Sequence, residues 1–179
     1  EFDAPKLPVE SEALPELELL AAGLGLQPSE IGFENHKPSS YAAGNAFAFV
    51  PISTLEAMGR ARVNGAHWLR AFEEQGILGA YLYTRHCEHT TSSFHVRMFA
   101  PSAGVPEDPA TGSAAVCFAG VVHRFDRLPD GAHKRMIEQG YEMGRPSLIA
   151  VTMVVAGGHL ATVRIGGSVV RVGEGTLTV

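Results

Sequence analysis

Glu107-Asp108-Pro109-Ala110-Thr111-Gly112-Ser113-Ala114-Ala115-Val116-Cys117-Phe118-Ala119-Gly120-Val121-Val122 sets the architecture of this chain. From Ser113 to Val122 the segment is apolar on every face and uncharged. A helix that is hydrophobic all round has no solvent side and must be enclosed. Just before it, Asp108 is a good N-cap and Pro109 suits the first helical position. His123 and Arg124 place cationic character at the C-terminal end, where the helix dipole favours it. The helix start therefore offers free N–H groups, a carboxylate, the hydroxyls of Thr111 and Ser113, and Gly112, which allows close approach. That combination suits an anion. Read locally, an Asp before Pro at a helix start is a cap first, and a cap can also face a ligand.

The surroundings are β-rich. Downstream, Ile149 to Ala156, Leu160 to Ile165, Ser168 to Gly173 and Leu177 to Val179 are short apolar runs separated by Gly157-Gly158 and Gly166-Gly167. Glycine pairs between β-branched runs predict tight hairpins. Upstream, Ala46 to Ile52 and Ala80 to Thr84 read as strands. Phe94 to Ala100 does too, with Phe94, Val96 and Met98 alternating with His95 and Arg97 as in a half-buried strand. Ser53 or Thr54 offers an N-cap to a short helix through Ala57, Met58 and Ala61. Leu14, Leu17, Leu20, Ala21 and Leu24 recur at helical spacing until Gly23 and Gly25 close the segment. Pro5 and Pro8 hold the first ten residues extended. The expected fold class is α+β: an antiparallel sheet or barrel curled around one central apolar helix.

The 179 residues are 45% hydrophobic and 18% charged with a net charge of -5, which excludes a disordered chain. No run approaches the ~20 apolar residues of a membrane-spanning helix. With 14 basic against 19 acidic residues, nucleic acid is not an expected partner. Cys87 and Cys117 make no disulfide framework, and no signal-peptide pattern opens the chain, so the cytoplasm is the default expectation. His86-Cys87-Glu88-His89, with His95 close behind, has metal-ligating residue types, but its spacing matches no standard zinc pattern and a polar loop explains it. No metal is expected. Glu73-Glu74 reads as the solvated face of a short helix, and Arg145 before Pro146-Ser147 as a turn residue.

Arg97-Met98-Phe99-Ala100-Pro101 followed by Glu107-Asp108-Pro109-Ala110-Thr111-Gly112-Ser113-Ala114-Ala115 resembles the signature of the PhzF-like isomerases of phenazine biosynthesis, which have the diaminopimelate-epimerase-like fold. Gln139-Gly140, Met143-Gly144-Arg145-Pro146-Ser147, Gly166-Gly167-Ser168-Val169-Val170 and, upstream, Ala43-Gly44-Asn45 fit the same pattern. The resemblance implies two similar lobes, each a sheet curled around an apolar helix, with the active site between them. This chain supplies one such helix and begins at Glu1-Phe2. It is therefore expected to be the C-terminal lobe (residues 11–179), preceded by an inter-lobe crossover strand (residues 1–10). Roughly 100 further residues, about one domain, would form the other lobe.

The resemblance also implies a chemistry. Such isomerases move a proton between carbons without a cofactor, using an acid/base group and a cradle for the substrate carboxylate. The proton-shuttling glutamate belongs to the other lobe. Asp108 and Ser113 match the catalytic residues of this lobe that hold the substrate, and the N–H groups of Gly112 and Ser113, with Thr111 lining the turn, match the substrate-binding cradle. Racemases of this fold that use two thiols place a Cys where Thr111 stands, and a Thr hydroxyl is too weakly acidic for that role; Cys117 reads as a small buried thiol. The expected partners are a small carboxylated metabolite and the other lobe or a second chain, a homodimer included. The rival reading is a non-catalytic domain of the same fold that binds a small acid or a protein.

Overall fold

A computed structural model describes residues 1–177. Chain order begins with β1 (Phe2–Asp3) and β2 (Val9–Ser11), joined through Pro5 and Pro8. Helix α1 (Leu17–Leu24) follows and ends on Gly25 at φ 65°, so Gly25 stops it while Gly23 lies inside it. Next come β3 (Ser39–Ala42), β4 (Ala46–Pro51), α2 (Leu55–Arg60), α3 (Gly65–Ala71) and β5 (Gly79–Thr84). Thr54 caps α2, its Oγ1 accepting the Ala57 N–H at 3.1 Å. The second half holds β6 (Phe94–Ala100), β7 (Val105–Asp108), α4 (Gly112–Asp126), β8 (Gly131–Gln139), β9 (Ser147–Ala156) and β10 (His159–Gly166).

All the strands share one sheet, in the order β1-β10-β9-β8-β6-β5-β4-β3-β2, with β7 added on β6. Most neighbours are antiparallel, but β4 pairs β5 and β6 pairs β8 in parallel. Parallel neighbours need a long crossover, and these two crossovers build the two layers. The β4–β5 connection carries α2 and α3, which pack with α1 on the outer face around Leu20, Met58, Trp68 and Phe72. The β6–β8 connection carries α4, which fills the inner face. Phe118 of α4 sits among Phe49, Tyr81, Tyr83 and Phe94, with ring centroids 6.0, 5.4, 4.8 and 5.0 Å away. Gly120 lets the helix approach closely, since a Cβ there would stand 2.8 Å from the Tyr41 ring and 3.3 Å from Pro8.

The expected α+β fold, a sheet curled around one apolar helix, is what the chain adopts. Segment 1–11 closes the curl. Phe2 and Asp3 pair with Ile165 and Arg164 at one edge, and Val9 to Ser11 pair with Ala42 to Ser40 at the other. The prolines between them cross the gap.

Three local expectations are corrected. Strand β6 is buried along its whole length, because the outer helices and the loop after β5 cover the face that carries His95 and Arg97. Gly157-Gly158 forms the β9–β10 hairpin with φ of 60° and 78°, but no hairpin forms at Gly166-Gly167. Residues 168–173 make no strand, since β1 already occupies the edge of β10 that a further strand would need. The last expected strand, Leu177 to Val179, falls mostly outside the described residues. Among the described residues no helix is long and apolar enough to cross a membrane.

The far end of α4 is held by charge. Asn35 Nδ2 donates to the Phe125 carbonyl at 2.7 Å, and Asp126 accepts from His36 Nε2 at 3.2 Å and from Arg85 at 2.5 Å. Burial alone would raise the Asp126 carboxyl, but the hydrogen bonds from His36 and Arg85 outweigh it and pull it from 3.8 to about 2. A carboxyl depressed on folding adds stability above its unfolded value that disappears as pH falls through the folded one. Asp126 is therefore expected to contribute about 2 kcal/mol near neutrality. Urea unfolding of wild type and Asp126→Asn should differ by about that amount at neutral pH and converge near pH 2. A constant gap across that range would contradict the assignment.

Candidate active site

The helix start differs from a simple Asp-Pro cap. Helix α4 begins at Gly112, Thr111 occupies the N-cap position, and no side chain caps it. Asp108 is still extended, paired opposite Met98 at the end of β7. Its Oδ2 accepts the Thr111 hydroxyl at 2.7 Å rather than a backbone N–H. The first helical hydrogen bond runs from Ala115 N–H to Thr111 O at 3.0 Å. The N–H groups of Gly112, Ser113 and Ala114 consequently have no carbonyl behind them, as at any helix start. Their fixed dipoles make this end of α4 the favourable place for an anion.

Gln139 and Ser147 brace the turn from β8 and β9. Gln139 Oε1 accepts the Thr111 N–H at 3.2 Å, while its Nε2 donates to Asp108 O at 2.6 Å and to Thr111 Oγ1 at 3.0 Å. The Ser147 hydroxyl donates to Pro109 O at 2.7 Å. Gly140, at φ 83°, lies so close that a Cβ would meet Arg145 O at 2.4 Å and Pro109 O at 2.9 Å. Thr111 is buried by these contacts, Asp108 and Gly112 are half-buried, and Ser113 is exposed.

All four expected site residues thus stand together on one turn. Two hollows meet at Gly112. One of about 300 Å³ runs over Ser113 and Val116 to Ala43, Pro5 and Lys6. A wider one of about 640 Å³ runs past Ala110 to Pro146, Ile149 and Ile165. Phe2 lines both. A carboxylate at Gly112 and Ser113 would thus have an apolar hollow on either side for the rest of its molecule.

Behind the turn lies a chain of charged groups, buried at Arg97, His95 and Glu138. Arg97 forks onto Glu107, the residue before Asp108, at 2.8 and 2.9 Å, and its third nitrogen donates to the carbonyls of Met58 and Ala61 at the end of α2. Glu142 Oε2 lies 3.9 Å from Arg97 Nε. His95 sits between Glu142 and Glu138, and Glu138 accepts the backbone N–H groups of Glu88 and His89. These contacts occupy the His86–His89 loop and His95. Among the described residues no three His, Cys, Asp or Glu side chains are grouped to hold a metal ion. Burial, with the charge of Glu138, pushes the Cys87 thiol up to about 11. Burial does the same to Cys117, against a hydrogen bond at Ala43. Neither thiol is a ready nucleophile. Glu73 and Glu74 lie on a short turn at the surface and Arg145 is exposed.

Arg97, Glu138, Glu142, Gln139 and Ser147 are the residues that site reasoning from sequence overlooks. Gln139 is 31 positions from Asp108, and only the fold makes them neighbours. The signal in the sequence is that Arg97, Gln139-Gly140 and Ser147 fall within the family pattern, with Gly140 opening the loop between β8 and β9.

Residues 1–175 match the model of the phenazine biosynthesis-like protein family. An uncharacterised isomerase of Mesorhizobium japonicum is 44% identical over 99% of this chain and 60% of its own length. The trans-2,3-dihydro-3-hydroxyanthranilate isomerase of Pseudomonas aeruginosa is 33% identical over 88% of this chain and 51% of its own. In structure, the PhzF-family phenazine biosynthesis protein of Bacillus anthracis superimposes with a TM-score of 0.82 at 20% identity, covering 91% of this chain and 55% of that one. The chain thus spans about half to three fifths of the length of these relatives. A family match along nearly the whole chain, an isomerase relative matched over 99% of this chain, and a PhzF-family structure with the same fold agree: the chain belongs to the PhzF-like, phenazine biosynthesis-like family.

Proposed function

We propose that this chain is the substrate-holding lobe of a cofactor-independent isomerase that moves a proton within a small carboxylated metabolite. The observation that carries the reading is the uncapped start of α4, where free N–H groups at Gly112 and Ser113 open onto two hollows beside a pinned carboxylate. The names of the Mesorhizobium japonicum and Pseudomonas aeruginosa relatives, both isomerases, support the reaction class. In this reading the substrate carboxylate rests on the N–H groups of Gly112 and Ser113 and on the Ser113 hydroxyl. Negative charge that develops as a proton leaves the neighbouring carbon is stabilised by the same fixed dipoles. Asp108, held by Thr111 and Gln139, faces the substrate and orients its donor groups.

The acid/base carboxylate that takes the proton and returns it to another carbon comes from a second lobe. That lobe is supplied by the same polypeptide or by another chain, with residues 1–10 as the crossover and residues 11–179 as the C-terminal lobe. The share of each relative's length that this chain covers supports that arrangement. A binding domain without catalysis is the second reading, favoured by the prior engagement of Asp108 with Thr111.

The test is deuterium wash-in from D₂O into candidate carboxylic acids, followed by mass spectrometry. The native protein should exchange one carbon-bound hydrogen of its substrate, and Asp108→Ala should slow that exchange by roughly 100-fold or more. Unchanged exchange in Asp108→Ala would remove Asp108 from the mechanism. No exchange by the native protein in any acid that shifts its Gly112 and Ser113 amides would favour the binding domain.

A further inference from the structure

We propose that His95 is a positioning residue for the helix-start site, acting through Glu142 and the turn 140–146 that packs against Pro109. The inference rests on the reading of Thr111 to Ser113 as the anion cradle. Its starting point is geometric. His95 Nδ1 lies 2.7 Å from Glu138 Oε1 and Nε2 lies 2.9 Å from Glu142 Oε1, with the imidazole 2% exposed. Ionised carboxylates only accept, so both ring nitrogens must donate and the ring must be an imidazolium. The other groups facing it are the Tyr141 ring at 5.6 Å, Arg97 across Glu142, and Cys87 and Glu88 across Glu138.

A neutral imidazole has one N–H and donates to one carboxylate alone. Glu138 would keep its other donors, the Glu88 and His89 N–H groups at 2.6 and 2.9 Å. Glu142 has the weaker hold, with Arg97 Nε at 3.9 Å as its remaining cation. Deprotonation of His95 therefore releases Glu142 first. Glu142 anchors a turn closed by Arg145 N–H to Gly140 O and Gly144 N–H to Tyr141 O, both at 2.9 Å. One end of that turn is Gly140, wedged against the Pro109 backbone, and just beyond the other is Ser147, bonded to Pro109 O. Loosening the turn removes the wall against which the Pro109 backbone packs ahead of α4.

Burial favours the neutral ring, but the hydrogen bonds to Glu142 and Glu138 outweigh it and raise the His95 pKa above its ordinary value. The glutamates are depressed in return: burial would raise each, and the bond to His95 outweighs it. A raised histidine holds its contacts fully below its ordinary value and loses them as pH rises through the folded one.

The experiment is ¹H–¹⁵N NMR of the protein from about pH 6.5, the ordinary imidazole value, upward. Two slowly exchanging ring N–H signals of His95 are expected at the low end. As the ring titrates, the amides of Thr111, Gly112 and Ser113 and the side-chain amide of Gln139 should move with the same inflection, while the Phe125 amide at the far end of α4 should not. In His95→Gln the inflection should vanish, and benzoate should need several-fold higher concentration to saturate its shifts of Gly112 and Ser113. Site amides that stay flat while His95 titrates in the wild type would overturn the proposal without any variant having to fold. Equal movement at Phe125 would overturn it too, as global loosening. Benzoate that leaves the wild-type Gly112 and Ser113 amides unmoved would instead overturn the cradle reading.

Discussion

Gly140→Ala is expected to destabilise the protein by roughly 3 to 5 kcal/mol, from a strained backbone and forced overpacking together. The residue sits at φ 83°, where an L side chain is unfavourable, and the added Cβ would lie 2.4 Å from Arg145 O and 2.9 Å from Pro109 O. Both obstacles are backbone atoms and cannot rotate away. One escape is outward movement of the turn 140–146, which carries Gln139 and Ser147 off Asp108, Thr111 and Pro109. The loss of stability should therefore be accompanied by weakened anion binding at Gly112 and Ser113. Urea unfolding followed by circular dichroism measures the first and a benzoate titration the second. Wild-type stability in Gly140→Ala would mean that the turn is free to shift and is no brace.

Arg97→Met should cost about 3 to 5 kcal/mol, the range for removing one partner of a buried ion pair. Arg97 is 8% exposed in its side chain and Glu107 is 17% exposed, so the orphaned Glu107 carboxylate has little water to turn to. The variant also removes the guanidinium donor from the carbonyls of Met58 and Ala61 at the end of α2. Arg97→Lys should recover less than half of the loss, because an ammonium cannot fork onto Glu107 and reach both carbonyls at once. Replacing both partners by Arg97→Met with Glu107→Gln should be milder than the single Arg97→Met, since no charge is then left alone. A double variant as unstable as the sum of its singles would show that Arg97 acts through packing on Phe99, 4.8 Å away, and not through its charge.

What the chain discloses before folding depends on how local each determinant is. Helix α4 is legible because ten consecutive residues leave it no polar face, and the β9–β10 hairpin because Gly157-Gly158 divides two β-branched runs. Residues 168–173 carry the same β pattern, yet Val169, Val170 and Val172 are 93%, 79% and 95% exposed. Strand propensity needs a ladder partner, and nothing nearby in sequence supplies one. The parallel pairs β4–β5 and β6–β8 are invisible for the same reason. His95 and Arg97 alternate like solvent-facing residues, and only the covering helices and loops make them interior charges. In the site, Asp108, Thr111, Gly112 and Ser113 are contiguous and readable together, whereas the bracing of Gln139 and Ser147 is a product of the sheet.

The segment that ties both edges of the sheet also orders the folding of that sheet. Phe2 and Asp3 take Ile165 and Arg164 as partners, so this pairing must wait until β10 has been made. Contacts between residues so far apart in sequence form slowly, because the loop they close is long and entropically costly. During that wait the prolines at positions 5 and 8 keep the segment from joining a wrong helix or being captured within a foreign sheet. The strand that precedes the others in this sheet closes it last.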